Sequence, residues 1–288
     1  MEKLRHYTTA KAKIGIAIQA CFVLAVLLMA NSVAARELRI LTSMPATLFT
    51  PFAELFEQNN PGITVNILNK NTNAGVEEIV RGNPRGFDIF WVSSVEAFAV
   101  LNAHNAFLPD VDADADWQPN QRSGAAFYPF ALSSIGWAQQ KDSPVPSPAE
   151  WDDLLRPNYV GTIAMTRPSR SGTTHMFVER FLQVRGWEGG WGYLLELSGN
   201  LSTLTSRSFG VIDGIEKQRF EIGISIDFLA LSRAEDGMTF RYGQPVMVMP
   251  AQIGILQGGQ SPDLATAFVE LVLSPAGQEF LLRPDIRR

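Results

Sequence analysis

The sequence is poor in cysteine, since its single cysteine, Cys21, lies within an apolar run from Ile14 to Ala30. Four basic side chains precede this run and small residues follow it up to Ala35, which is the pattern of a secretory signal peptide. We therefore predict that residues 1–35 are a signal peptide, cleaved after Ala35. The exported chain would then contain no cysteine, which excludes disulfide bonds, thiolate catalysis and cysteine metal sites.

The apolar run is also long enough for an uncleaved membrane anchor, and that alternative stays open. A lipid-modified Cys21 is disfavoured, because Gln19 lies two places before it and the apolar run continues beyond it. Removing the leader would leave 253 residues. This is enough for one large domain or for two lobes with a buried interior.

Basic residues are scarce relative to acidic ones. The chain has 24 Lys and Arg against 29 Asp and Glu, and removing the leader takes away four basic residues and one acid, which leaves a net charge of −8. This balance disfavours a nucleic-acid-binding surface. An anionic ligand would therefore be held by local attraction and not by the charge of the whole molecule.

Histidine and catalytic motifs are scarce as well. Beyond the leader only His104 and His175 remain, and the sequence has no G-x-S-x-G or H-E-x-x-H motif. His175 lies near Ser171 in the sequence, but no setting that activates a serine nucleophile is recognisable around this pair. We therefore expect a protein that binds its ligand without altering it, with no catalytic residue, metal or cofactor.

Short apolar runs alternate with helical patterns from residue 38 onward. The strand-like runs LRIL, ITVNIL and FDIFWV are each followed by a helical stretch, which is typical of a largely parallel sheet with helices on its faces. Ligands bind such sheets beyond the carboxyl ends of the strands. One rim is therefore predicted to hold Thr42, Ser43, Thr72, Asn73, Ser93 and Ser94. For Ser93, a capping box with Glu96 is an alternative role.

A second α/β pattern fills the middle of the chain. FYPFALSSIGWAQQ is predicted as a bent strand, GTIAMT as a strand, and two helical stretches follow on either side of Gly186. IGISIDFLAL is predicted as a further strand, RYGQPVMVMPAQIGIL is strand-rich, and helices are predicted after Ser261 and Ser274. The alternating aspartates from Asp110 to Asp116 lack the glycine and glutamate of a calcium loop, so a surface loop is predicted there.

The segment PSRSGTTH combines hydroxyl groups and a glycine directly before an amphipathic helical pattern. Residues 171–174 would lie at the helix N-terminus, where free N–H groups and the positive end of the helix dipole favour a phosphate or carboxylate. The alternative is that Ser171 or Thr173 merely caps the helix. Arg207, in the polar stretch TSRSFG, is predicted to add a bidentate contact to the anion, with a solvated surface position as its alternative.

Asp227 is the acid within the predicted strand IGISIDFLAL. Strand alternation puts its carboxylate on the face opposite Ile222, Ile224 and Ile226. An unpaired carboxylate on a covered face is costly, so Asp227 is predicted to accept a hydrogen bond. Contact with a ligand and pairing with a neighbouring side chain both stay open.

Several segments carry a resemblance when they are taken in order: W-DDLL, P-NYVGTIAMT-PS-SGT, G-WGYL-EL, IGIS and AFVELVLSPAGQEFLL. Together they resemble the periplasmic solute-binding proteins of bacterial ABC importers, over essentially the whole exported chain. The similarity is strongest to the branch that includes ferric-ion, phosphonate, sugar-phosphate and phosphoglycerate receptors. The ending LLRPDIRR is similar to the C-terminal region of phosphoglycerate-transport regulatory proteins, whose chains run on further.

The resemblance implies an α/β fold of the type II periplasmic-binding-protein class, in which two lobes meet at a hinge and each is an open, mostly parallel sheet flanked by helices. We expect residues 36–131 to begin the first lobe, 132–228 to form the second and 229–288 to complete the first. The expected ligand-binding residues are Ser43, Asn73, Ser93, Ser94, Ser171, Gly172, Thr173, Thr174, Arg207 and Asp227.

The function that the resemblance implies is capture of a small phosphorylated or phosphonate anion by a periplasmic monomer, which delivers it to the permease and ATPase of an ABC importer. A ferric-iron receptor of the same fold is one alternative. Ferric receptors of this branch use two adjacent tyrosines where this sequence has Asp227 and Phe228, so iron is disfavoured. A periplasmic sensor for a two-component kinase is a further alternative.

Overall fold

The computed structural model describes residues 36–109 and 124–286. The predicted signal peptide and the aspartates from Asp110 to Asp116 lie outside these ranges. Nine strands are described: β1 (Arg36–Thr42), β2 (Ile63–Asn69), β3 (Ile89–Val92), β4 (Phe127–Gln140), β5 (Ile163–Thr166), β6 (Leu201–Thr205), β7 (Ile222–Ile226), β8 (Met238–Arg241) and β9 (Met247–Ile255). Within the same ranges, no helix has both the length and the apolar composition needed to span a bilayer.

Eight α-helices accompany the strands in the described ranges: α1 (Ala46–Asn59), α2 (Thr72–Val80), α3 (Val95–Ala103), α4 (Gly172–Asn200), α5 (Phe209–Glu216), α6 (Asp227–Leu231), α7 (Pro262–Leu273) and α8 (Pro275–Leu281). Short 3₁₀ turns join them, and two of these, Trp151–Leu155 and Pro168–Arg170, precede β5 and α4. The predicted βαβαβα order of the first part of the chain is confirmed.

The strands form one continuous sheet in the order β2-β1-β3-β9-β4-β7-β5-β6, with β8 paired to β4. The outer pairs are parallel: β1 with β2 and β3, and β5 with β6 and β7. The central strands β4 and β9 run antiparallel to their neighbours. The α/β class is therefore confirmed, and the structure adds that the two parallel regions belong to a single sheet.

Strand β4 connects the two lobes. Its first part pairs with β9 from Phe127 to Ile135, and its last part pairs with β7 and β8. The pairing register with β9 shifts between Pro129 and Ala131, within the segment that was predicted as a bent strand. The predicted boundary after residue 131 lies inside this strand, and the predicted lobe boundaries stay predictions.

Each lobe is packed around aromatic side chains. In the first lobe Trp91 and Phe52 meet edge to face with ring centroids 5.5 Å apart, and Phe268 of α7 packs on Phe56 of α1 at 5.3 Å. In the second lobe Trp151 packs on Trp137 at 4.9 Å. Contacts of this kind add stability beyond the area they bury. They fix the strand ends from which the cleft residues project.

Helix α4 changes direction at Gly186, where φ is 72° and the backbone is not helical. The sequence predicted a helix stop at this glycine, because glycine adopts positive φ without steric cost. The two predicted helices on either side are therefore confirmed as the two halves of α4. Strand β6, Leu201–Thr205, directly follows the second half, although no strand was predicted there.

The predicted strand IGISIDFLAL is wrong in its second half. Strand β7 ends at Ile226, and Asp227 begins the short helix α6. Alternation therefore does not apply to Asp227, because a helix turns its side chains by about 100° per residue instead of 180°. Hydrophobic periodicity could not reveal this change, since a short apolar run fits a buried strand and a buried helix equally well.

Candidate anion site in the interlobe cleft

A cavity lies between the two lobes, beyond the carboxyl ends of β1 and β3 and at the N-terminus of α4. The centre of a water molecule can occupy about 40 Å³ of this cavity, and about 470 Å³ of space, which includes open solvent, lies between and beside the lining atoms. The first lobe contributes Ser43, Met44, Pro45, Asn71, Thr72 and Ser93. The second lobe contributes Arg170, Ser171, Gly172, Thr173, Arg207, Ser208, Phe209, Ile226, Phe228 and Leu229.

The N-terminus of α4 forms one wall of the cavity. Ser171 caps the helix, because its hydroxyl accepts from the Thr174 N–H at 3.2 Å, and it also contacts the Ser208 hydroxyl at 2.8 Å. The N–H groups of Gly172 and Thr173 belong to the first turn, where no preceding helix carbonyl is available to them. Hydroxyls and first-turn N–H groups at a positive dipole end suit an anion.

The opposite wall presents hydroxyl groups of the first lobe. Thr72 donates to the Ser43 hydroxyl at 3.1 Å, and Ser93 donates to the Met44 sulfur at 3.3 Å. Strands β1 and β3 are parallel neighbours, so the residues that follow them meet at one edge. Of the six residues predicted for this rim, Ser43, Thr72 and Ser93 line the cavity, whereas Thr42, Asn73 and Ser94 do not.

Two arginines give the cavity its charge. Arg170 and Arg207 both line it, and among the described lining residues there is no Asp or Glu. The Arg207 guanidinium lies over the Phe209 ring at 5.0 Å from its centroid. Burial lowers the pKa of Arg207 from its ordinary value, and the neighbouring Arg170 lowers it further. The cavity is thus locally positive in a protein whose net charge is negative.

The structure brings six of the ten predicted site residues to the cavity and places the other four nearby or elsewhere. The six are Ser43, Ser93, Ser171, Gly172, Thr173 and Arg207. Thr174 is buried in the first turn of α4. Asn73 and Ser94 lie where the lobes touch, since Asn73 donates to the Ser169 carbonyl at 2.8 Å and Ser94 packs on Gly172.

Asp227 does not line the cavity. Its carboxylate accepts from the Ser134 N–H at 2.8 Å and from the Tyr242 hydroxyl at 3.3 Å. Burial, followed by the effect of Asp227, raises the pKa of Tyr242 to about 12, so the tyrosine stays a hydrogen-bond donor. Of the two roles left open by the sequence, these contacts favour structural pairing.

Several cavity residues were not singled out by the sequence, among them Met44, Arg170, Ser208 and Phe209. One signal for Arg170 was present, because a cation directly before a helix N-terminus opposes the helix dipole. Such a residue is unfavourable unless an anion lies nearby. The other three could not be recognised from residue type, since serine and apolar residues beside a cleft have no distinctive pattern.

His175 faces a neighbouring groove and not the cavity. It lines this groove together with Ser94, Glu96 and Gly172. In the described residues, no group of three or more His, Cys, Asp or Glu side chains is arranged to hold a metal ion.

Residues 38–283 match the family model described as bacterial extracellular solute-binding protein. The chain belongs to this family. As the description of the family states, its members are extracellular proteins of bacteria that bind solutes.

The curated relatives of this solute-binding protein include the phosphoglycerate transport regulatory protein PgtC of Salmonella typhimurium. The two are 33% identical over 249 residues, which cover 82% of this chain and 62% of PgtC. The chain thus spans about three fifths of the length of the curated relatives it matches first.

Solved structures with the same fold include several periplasmic binding proteins. The periplasmic binding protein P5PA superposes with a TM-score of 0.78 at 19% identity, covering 86% of this chain and 83% of P5PA. AfuA from Actinobacillus pleuropneumoniae, with exogenous fructose-6-phosphate bound, gives 0.78 at 18% identity, covering 88% and 84%. A ferric binding protein from Campylobacter jejuni gives 0.73 at 14%, covering 85% and 83%. The predicted type II fold is confirmed.

Proposed function

We propose that this solute-binding protein captures a small phosphorylated or phosphonate anion in the cavity between its lobes. The observation that carries the proposal is the pairing of Arg170 and Arg207 with the N-terminus of α4, with no described acid in the lining. Three sources of positive potential converge there. Charge-assisted hydrogen bonds from such groups are stronger than neutral ones.

The roles of individual residues follow from their positions. The N–H groups of Gly172 and Thr173, with the Ser171 and Thr173 hydroxyls, donate to the anionic oxygens. Arg207 supplies a bidentate contact, and Ser43 and Ser93 complete the contacts from the first lobe. Arg170 lies directly before the N-cap of α4, where a bound anion would offset its unfavourable interaction with the helix dipole.

The two arginines argue against ferric iron as the solute. A trivalent cation needs carboxylate, phenolate or imidazole ligands, and a guanidinium in the same cavity would repel it. The fold itself accommodates both ligand types, as the ferric binding protein from Campylobacter jejuni and AfuA illustrate. The charge of the lining, and not the fold, therefore favours the anion.

The proposed biological setting is the periplasm, reached through cleavage of residues 1–35, where the protein acts as a monomer with the permease and ATPase of an ABC importer. A second candidate role, supported by the name of PgtC as a transport regulatory protein, is that of a ligand sensor for a membrane kinase. Both roles require the same capture step, so the cavity serves either one.

The proposal is tested by calorimetry on protein purified from the periplasm of an expression host. The titrants are 3-phosphoglycerate, glucose 6-phosphate, 2-aminoethylphosphonate and ferric citrate. We expect saturable binding of at least one organophosphate or phosphonate. Tight iron binding with no response to these anions would overturn the proposal. The mass of the purified protein tests cleavage after Ala35.

The double substitution Ser171→Ala with Thr173→Val should remove anion binding while the fold persists. Losing the Ser171 cap costs about 1 kcal/mol of stability, which a packed α/β protein tolerates. Ser198→Ala in the same helix is the matched control, since the Ser198 hydroxyl bonds only locally to the Leu195 carbonyl. Unchanged affinity in the double variant would mean that the turn is only a helix cap.

A further inference from the structure

Asn69 lies at the end of β2, beside Thr42 of β1, and its side chain reaches across the cleft. Its amide nitrogen donates to the Met44 carbonyl in the first lobe. Its amide oxygen accepts from the Arg207 guanidinium in the second lobe. Because the Met44 carbonyl can only accept, it determines which end of the amide faces Arg207.

In the described part of the chain, the Arg207 contact differs from a second polar contact between the lobes. That contact joins Asn73 to the Ser169 carbonyl at 2.8 Å and involves no charged group. Asn69, by contrast, bonds to one of the two cations that line the cavity. Asn69 therefore links the contact between the lobes to the position of the Arg207 charge in the cavity.

The choice of an amide over a carboxylate has a direct electrostatic consequence. A carboxylate at position 69 would attract Arg207 more strongly, although it would lose the hydrogen bond to the Met44 carbonyl. It would also cancel the positive charge in a partly buried place where screening is weak. An amide holds the guanidinium through one hydrogen bond and leaves its charge intact. The remaining N–H groups of Arg207 are then available to a ligand.

We propose that Asn69 is a positioning residue that fixes Arg207 across the closed cleft while keeping its positive charge available to the bound anion. The role in anion binding rests on the proposed function, whereas the role in holding the lobes together does not. Two substitutions separate these roles, because Asn69→Asp strengthens the link but neutralises the charge, and Asn69→Ala removes the link but leaves the charge.

The test compares both variants with the wild type by small-angle scattering without ligand and by stopped-flow binding of 3-phosphoglycerate and glucose 6-phosphate. Asn69→Asp should have a smaller radius of gyration without ligand than the wild type, and its anion affinity should fall by at least about tenfold. Asn69→Ala should not be more compact than the wild type, and its ligand should dissociate about tenfold faster.

Asn73→Asp is the matched control, because it adds the same charge at the other contact between the lobes but faces a carbonyl oxygen. It should not compact the ligand-free protein. An Asn69→Asp protein that scatters and binds like the wild type would overturn the proposal, as would an unchanged dissociation rate in Asn69→Ala. If Asn69→Asp does not fold, the rate at which the ligand dissociates from Asn69→Ala decides whether Asn69 has the proposed role.

An incorrect solute class would give a different result from an incorrect role of Asn69. If the wild type bound neither probe, the scattering comparison of wild type, Asn69→Asp and Asn73→Asp would still decide whether Asn69 holds the lobes together. In that case compaction in Asn69→Asp alone supports the positioning role. Equal compaction in both variants, or none in either, overturns it.

Discussion

At the scale of single residues, Ser171 shows that capping and ligand contact are compatible roles. Its hydroxyl accepts from the Thr174 N–H and so caps α4, yet the same side chain lines the cavity. A capped helix N-terminus still has unpaired N–H groups in its first turn. The cap therefore orients the groups that a ligand would meet, and the two interpretations of the sequence do not exclude each other.

Glu96 is an acidic side chain beside the contact between the lobes, in the groove that Glu77 and His175 also line. Burial, its largest cause, raises the pKa of Glu96 above the ordinary value, with Glu179 adding to the effect. The Ser94 hydroxyl donates to the carboxylate at 3.0 Å and opposes the shift. The folded protein therefore disfavours the charged form of this carboxylate.

We predict that Glu96→Gln becomes more stable relative to the wild type as the pH rises. A raised folded-state pKa stabilises the protein below the unfolded-state value, near pH 4.3, and this advantage is lost as the pH rises through the folded-state pKa. Glutamine does not titrate. Urea denaturation of both proteins at about pH 4 and pH 7 measures the effect. A stability difference that is the same at both pH values would contradict it.

At the scale of elements, the contact between α4 and the start of α3 sets how closely the lobes approach. A Cβ at position 172 would lie 2.6 Å from the Ser94 Cβ, a separation that real side chains do not adopt. Ser94 caps α3 in the first lobe, and Gly172 begins α4 in the second. Glycine at this position is therefore required for close approach of the lobes, not for its backbone freedom.

We predict that Gly172→Ala lowers anion affinity by about tenfold or more without unfolding the protein, because the added methyl group pushes the lobes apart. Gly192→Ala in the same helix is the control. Apart from the adjacent residues and the backbone of the helix itself, no described atom lies within 4 Å of a Cβ at position 192. This substitution should therefore raise helix stability by about 0.5–1 kcal/mol and leave affinity unchanged. Titration calorimetry measures the affinities of the two variants, and thermal melting measures their stabilities. Equal affinities in the two variants would contradict the prediction.

At the scale of the whole molecule, a positive cavity lies in a protein with an excess of acidic residues. The net charge of the full chain is −5, whereas the cavity lining carries two arginines and no described acid. Attraction of an anion must then be short-range, because counterions screen charges beyond about 8–10 Å at physiological ionic strength. Closure of the lobes around the solute removes that screening.

We predict that a bound anion both stabilises and compacts the molecule, since it contacts the two lobes at once. At a free ligand concentration of 100 times Kd, mass action adds about 2.7 kcal/mol to the free energy of unfolding. Thermal melting and small-angle scattering with and without the solute measure the two effects. Stabilisation without any decrease in the radius of gyration would indicate a solute held by one lobe only.

The fold was largely predictable from sequence, and the reason is periodicity. The alternation of apolar strands with amphipathic helices gave the βαβαβα order, and Gly186 gave the break in α4. The same criterion failed at Asp227, where a short apolar run continues from a strand into a helix. Periodicity over so few residues does not distinguish the two structures.

Local pattern and residue order were enough to predict the family, the class of fold and the hydroxyl-and-glycine turn from Ser171 to Thr174. Which side chains share the cavity depends instead on tertiary packing. Arg170 with Arg207, and Asn69 with Arg207, are far apart in the chain and meet through the order of strands in the sheet. That order depends on packing between distant segments, which local patterns do not encode.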